Sequence, residues 1–193
     1  MRGKIRTFSR ASRRRLLNLV NSINRERAPL PTLETLTYPS TWPESSRVWK
    51  EQLDNFRSRL VRRYGKGPAV WRLEYQRRGA PHFHLLVFAE LETDDLILFA
   101  SWNWYEVVGS GDERHLAAGT RCERVRVWRG VVSYAAKYLG ETERLRLDQE
   151  PPGRFWGVWY KDLLPIEMVE TEISLEDAYR VRRHQARYAG IPS

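Results

Sequence analysis

The chain has 193 residues, enough to bury one proper hydrophobic core with an appended helix. Its formal charge is +9, with five lysines and 28 arginines against 24 acidic residues, and that excess points to a polyanionic partner. A single cysteine, Cys122, excludes an internal disulfide framework and any multi-cysteine zinc site, and no apolar run is long enough to span a membrane.

Arginine forks onto phosphate and stacks on bases, so the bias toward it suits nucleic acid, although an Arg-rich host proteome would leave the same mark. Eight Trp and nine Tyr offer rings for stacking unpaired bases, though core packing is their commoner use. The first residues carry charges with no hydrophobic stretch before a cleavage site, so no signal peptide is read and an intracellular protein is expected.

Residues 1–30 read as a basic N-terminal arm. Within it Ser9 or Ser12 caps a helix to about Asn24, with Leu16, Leu19, Val20 and Ile23 on one face. Pro29 and Pro31 break it. Residues 33–39 are rich in Thr and apolar side chains and end at Pro39, which predicts a strand. From Ser46 to Tyr64 the apolar stripe Trp49, Leu53, Phe56 and Leu60 predicts an amphipathic helix stopped by Gly65. A strand over 69–76 follows. Arg77-Arg78-Gly79 then forms a three-residue hairpin loop into a strand over 81–88.

Thr93 caps a helix to about Val107, and the Gly-rich, charged stretch 109–119 reads as a flexible loop. Residues 122–128 alternate, with Val125 and Val127 opposite Arg124 and Arg126, and predict a strand. A short helix over 130–139, a polar loop over 141–153 and strands over 154–160 and 166–173 come next. Ser174 caps a basic C-terminal helix, residues 174–193, with Asp177 completing an approximate capping box. The fold class is α+β, a mainly antiparallel sheet with helices packed against it, and 31–173 is its main domain.

Three stretches carry chemistry. His82 and His84 sit two apart on a strand, so both imidazoles face one side, as in a metal site or a polar core pair. Through a three-residue hairpin loop, Glu74 falls opposite His82 on the same face. It is either a third ligand, with Gln76 as runner-up, or the ion-pair partner of an arginine. Two imidazoles and a carboxylate suit Mn2+ or Mg2+, and can also hold Zn2+ or Co2+. On a helix, Tyr134, Lys137 and Tyr138 share one side; without the other two stretches they read as half-buried tyrosines and a solvated lysine. Arg72, Arg77, Arg78, Arg124 and Arg126 are candidate DNA contacts. His115 and His184 have no motif around them and read as surface residues.

Taken together, Thr35-Leu36-Thr37-Tyr38-Pro39, Gly79-Ala80-Pro81-His82-Phe83-His84-Leu85-Leu86 and Tyr134-Ala135-Ala136-Lys137-Tyr138 resemble the rolling-circle replication initiators of the HUH endonuclease superfamily. The paired tyrosines look like those of small single-stranded DNA phages and related plasmids. The resemblance implies a nicking domain on an RRM-like five-stranded antiparallel sheet and a divalent metal, Mn2+ or Mg2+, on His82, His84 and Glu74. It implies attack by Tyr134, a second attack by Tyr138, and charge stabilisation by Lys137. It further implies single-stranded or hairpin origin DNA as partner in the cytoplasm of a prokaryotic host, and no membrane. The sequence lacks GxxxxGK[ST], so a separate host helicase, along with a polymerase, is expected.

Two other functions fit part of the pattern. A two-tyrosine HUH transposase would use the same chemistry on transposon ends, but many of those carry Cys-rich zinc modules. A non-catalytic binder of single-stranded nucleic acid would bind without metal and cleave nothing. Salt dependence does not separate it from a nickase.

Overall fold

The structure is a computed structural model that describes residues 5–140, 150–167 and 172–188. Within the last turns of two helices, the side chains of 135–140 and 185–188 lie outside the described residues. A five-stranded antiparallel sheet organises the chain. Its strands are β1 (Thr32–Thr37), β2 (Ala69–Tyr75), β3 (Pro81–Val87), β4 (Thr120–Arg124) and β5 (Trp156–Trp159), in the spatial order β4-β1-β3-β2-β5. The helices are α1 (Arg10–Asn21), α2 (Ser46–Tyr64), α3 (Thr93–Val108), α4 (Glu113–Ala118), α5 (Trp128–Gly140) and α6 (Leu175–Tyr188).

The histidine strand β3 is central, bonded to β1 on one side and β2 on the other. The alternation of a strand sends its side chains to two faces, and each face is covered differently. Phe83, Leu85 and Val87 join Leu36, Trp71 and Leu73 in one core, closed by Trp49, Leu53 and Phe56 of α2 and by Leu96, Ala100 and Trp104 of α3. Phe83, Leu85, Leu73 and Leu36 are fully excluded from water. Each such side chain contributes about 1.5–3 kcal/mol of transfer free energy. This core pins the register of β3, because a slip of one residue would drive both histidines into it.

On the other face the apolar packing is confined to one end. Leu86 and Val70 pack with Leu16 and Val20 of α1, Val131 of α5, Phe8 and Phe155. The N-terminal helix therefore packs on the sheet, with Ser9 accepting the backbone N–H of Ser12 as its cap. At the opposite end of this face the apolar side chains give way to Thr35, Thr37, Glu74, His82 and His84.

The hairpin between β2 and β3 has the expected loop. Gln76 N–H donates to the Ala80 carbonyl at 2.9 Å, and Gly79 takes φ +87°, which a residue with a Cβ rarely adopts. Glu74 consequently pairs with His82. Helix α2 begins and ends where the stripe predicts, with Gly65 at φ +84° closing it.

Several sequence-based boundaries differ. The strand predicted over 122–128 runs from Thr120 to Arg124, and helix already begins at Trp128. The alternation of Val125 and Val127 belongs instead to the turn into α5, where Val125 N–H donates to the Pro31 carbonyl. The predicted loop 109–119 contains α4, capped by Asp112 accepting from Arg114 N–H. Of the strand predicted over 166–173, the described part shows a single bridge between Ile23 and Ile166; residues 168–171 lie outside the described residues. Ser174 does cap α6, accepting from Asp177 N–H at 3.1 Å and donating to its carboxylate at 2.7 Å. No helix among the described residues is long and apolar enough to cross a membrane.

Candidate active site

Strand β3 delivers His82 and His84 to the polar end of this face, with ring centroids 4.4 Å apart and planes at 79°. Register with β1 sets a threonine beside each, Thr37 opposite His82 and Thr35 opposite His84. Thr37 Oγ1 lies 2.9 Å from His82 Nδ1, and Thr35 Oγ1 lies 3.1 Å from His84 Nδ1. With each Nδ1 engaged by a hydroxyl, the two Nε2 atoms are the ones left to face a ligand.

Glu74 reaches the same place from β2. Its Oε2 is 3.3 Å from His84 Nε2, and its Oε1 accepts from Arg72 Nη1 at 2.6 Å. Glu74 therefore makes the ion pair with an arginine and lies beside a histidine as well. Arg72 is 2% exposed, its guanidinium 5.2 Å from the Phe8 ring. Its place is behind the carboxylate, which it orients. Burial first, then the neighbouring His84, push His82 down to about 4, against the pull of Glu74; Arg78 adds to the lowering. His82 is thus neutral at pH 7, the state a metal ligand requires.

Tyr134 comes from α5. Its ring is 5.8 Å from that of His84, centroid to centroid, in an edge-on arrangement. Lys137 and Tyr138 follow on the same helix, and their side chains lie outside the described residues. The sheet thus brings together His82, His84 and Glu74 and sets Tyr134 against them.

The candidate DNA arginines separate. Arg77, Arg124 and Arg126 are exposed. Arg78 donates to the Tyr38 and Pro39 carbonyls and to Gln76 Oε1, and its guanidinium lies 5.0 Å from the Trp42 ring, so it ties the hairpin to the segment after β1. Gln76 is held by that contact. His184 is exposed, as expected. His115 is not a surface residue: it is 5% exposed, with Nε2 2.9 Å from the Thr37 carbonyl and Nδ1 2.8 Å from Ser110 Oγ.

Thr35, Thr37 and His115 are the positions that sequence reasoning did not assign to the site. The first two had a readable signal, a Thr-x-Thr strand beside a His-x-His strand with equal spacing. His115 had none, because its partner is a backbone carbonyl 78 residues away in sequence.

Among the described residues no group of three or more His, Cys, Asp or Glu forms a ready cation site. What the donor chemistry offers is two imidazole nitrogens and one carboxylate oxygen, each with its other atom tied to a threonine or an arginine. Imidazole nitrogen and carboxylate oxygen are donor types that divalent cations take, so the chemistry of the set, though not a ready-made geometry, is compatible with such an ion. No curated protein and no solved structure matches the chain significantly. The model of one protein family, the replication-associated protein ORF2 family, matches residues 31–143, which include β1, the histidine hairpin and the whole of α5. That match takes in more than half of the chain and the histidines, Glu74 and Tyr134 alike, so the chain belongs to the replication-associated protein ORF2 family, and membership supports a rolling-circle replication initiator.

Proposed function

We propose that the chain is a metal-dependent, site-specific nickase and strand transferase that initiates rolling-circle replication on single-stranded or hairpin origin DNA. The observation that carries the reading is the edge-on contact of the Tyr134 ring with His84, beside a carboxylate and a second imidazole. A phenol, two imidazoles and an acid meet at the polar end of one sheet face in a protein that carries +9, and this combination supports phosphoryl-transfer chemistry on a polyanion.

His82, His84 and Glu74 would hold Mn2+ or Mg2+, whose charge would draw electron density from an oxygen of the scissile phosphate. Thr35 and Thr37 hold the imidazole tautomers, and Arg72 holds the carboxylate. Tyr134 attacks: its Oη–P bond forms as the P–O3′ bond breaks. The phenol proton passes to solvent, and the leaving 3′-oxygen takes a proton from water. The products are a 5′-phosphotyrosine and a 3′-OH that primes a polymerase. A free tyrosine titrates near 10, so about one in a thousand is ionised at pH 7. Lys137 lessens that handicap by balancing charge on phenolate or phosphate. Tyr138 makes the second attack, on the regenerated origin phosphate: its Oη–P bond forms as that P–O3′ bond breaks, and the 3′-OH so freed attacks the Tyr134 phosphotyrosine, which re-forms a phosphodiester and releases the Tyr134 phenol. A separate host helicase and the host polymerase would supply unwinding and synthesis.

The test is incubation of the protein with a single-stranded origin oligonucleotide and Mn2+, followed by denaturing electrophoresis. A covalent adduct is expected, absent with a chelator and absent in Tyr134→Phe. An adduct that persists in Tyr134→Phe/Tyr138→Phe would refute the nucleophile assignment. Binding without any adduct under all metals would leave a non-catalytic binder.

A further inference from the structure

On the face of the sheet opposite the histidines, α2 and α3 leave an open cleft of about 340 Å3 lined by Arg59, Arg62, Arg63 and Asn103. The three arginines sit at i, i+3 and i+4 of α2, so they crowd one side of the helix, where like charges repel. One of them is compensated. Arg63 Nη2 lies 3.3 Å from both oxygens of Asp95, which also accepts from the Tyr64 hydroxyl at 2.8 Å. The Tyr64 hydroxyl first, and Arg63 with it, hold the Asp95 carboxyl below its ordinary range, so it stays fully spent on these partners.

The other two are not compensated. Arg59 Nη1 donates to Asn103 Oδ1 at 3.2 Å, a neutral partner itself fixed by Asn103 Nδ2 donating to the Phe99 carbonyl at 2.8 Å. Among the described residues neither Arg59 nor Arg62 meets a carboxylate. The cleft thus pairs an oriented guanidinium with an exposed one, and an anion between them would relieve their repulsion. Guanidinium forks match phosphate oxygens bidentately. The cleft is shallow and open to solvent rather than closed over a small molecule, so the phosphates of a polymer lying over it can reach the arginines.

We propose that this cleft is a second nucleic-acid site, taking backbone phosphates of DNA that runs over the outer side of α2 and α3. It is separate from the nicking chemistry and would hold a part of the substrate other than the strand being cut. The ligand chemistry is the phosphodiester backbone, and a single strand and a duplex are its two sources.

The test is the salt dependence of binding to an oligonucleotide of unrelated sequence, in single-stranded and in duplex form, read by fluorescence anisotropy without added metal. Two phosphate contacts account for about 1.4 of the slope of log K against log salt for a single strand, and about 1.8 for a duplex. Arg59→Gln/Arg62→Gln is expected to lose that much slope on the form the cleft takes, and Arg62→Gln alone about half. An equal-charge control, Arg47→Gln/Arg180→Gln, removes arginines already paired with Glu51 and Glu176 and should keep the wild-type slope. An unchanged slope on both forms in the cleft variants, or an equal loss in the control, overturns the proposal. Neither metal nor origin sequence enters the measurement, so its failure leaves the nickase reading standing, and failure of nicking leaves this one standing.

Discussion

Replacing Glu34 with Gln removes an ionisable group from the α2–α3 side of the sheet, where it has no partner among the described residues. Glu34 lies on β1 between Leu33 and Thr35, is 0% exposed, and neither of its carboxyl oxygens has a hydrogen-bond partner there. Burial pushes it up to about 8 from the ordinary 4.5. The unfolded chain releases this proton near 4.5, whereas the folded chain keeps it to about 8. Between those values the folded state binds the extra proton, so raising pH destabilises it, by about 1.4 kcal/mol per unit. Across the window the loss is on the order of 5 kcal/mol, comparable to the whole stability of many domains, and it levels off above pH 8. Glu34→Gln has no such proton. Urea unfolding of both proteins at several pH values should show the variant gaining on the wild type from pH 5 to 8. His82 lies on the other face of the sheet and its titration cancels in the difference. A wild-type-minus-variant difference that stays constant over that range would refute the buried, unpaired carboxyl.

Three other outcomes follow from the geometry. Thr37→Val keeps a β-branched residue on the strand but removes the partner of His82 Nδ1; the expected result is a loss of about 10–100-fold in Mn2+ affinity by calorimetry, with little change in unfolding. Gly119→Ala should destabilise by about 1–3 kcal/mol, because the added Cβ would run into the His115 ring and carbonyl; a thermal melt reads it at about 2–4 °C per kcal/mol. In the metal-free protein, NMR titration of His82 should give a midpoint near 4. Its folded value lies below the unfolded 6.5, so its contribution to stability is lost as pH falls from 6.5 toward 4; a midpoint at or above 6 would contradict its burial.

The fold was most legible where one period governed a long segment. The stripe Trp49, Leu53, Phe56, Leu60 marked out α2 to the residue, and Gly79 after two arginines set the hairpin loop and with it the Glu74–His82 register. It was least legible where two signals competed. At 122–128 the alternation continued past the last paired residue, and the pairing stopped because β1 itself begins at Thr32, opposite Arg124. In 109–119 the glycines outweighed a short helix that is held by tertiary contacts: Ser101 Oγ donates to the Leu116 carbonyl, and His115 bonds to Thr37.

The same division runs through the site. Residues proposed to touch a ligand carry their own chemistry, so His82, His84, Glu74 and Tyr134 are visible as types and spacings. Residues that hold them act by position, and position is a property of the fold. Thr37 shows the difference. Its hydroxyl fixes His82, its N–H donates to the Gly119 carbonyl at 2.7 Å, and its carbonyl lies 2.8 Å from Trp104 Nε1, which donates to it, and 2.9 Å from His115 Nε2. A residue from α3 and one from α4 thus clamp the end of β1 so that one imidazole faces outward in one tautomer. Burial at His115 lowers its affinity for a proton, which keeps it neutral in this clamp. Disturbing His115 would therefore reach the histidine pair through Thr37, without any contact between the two histidine sites.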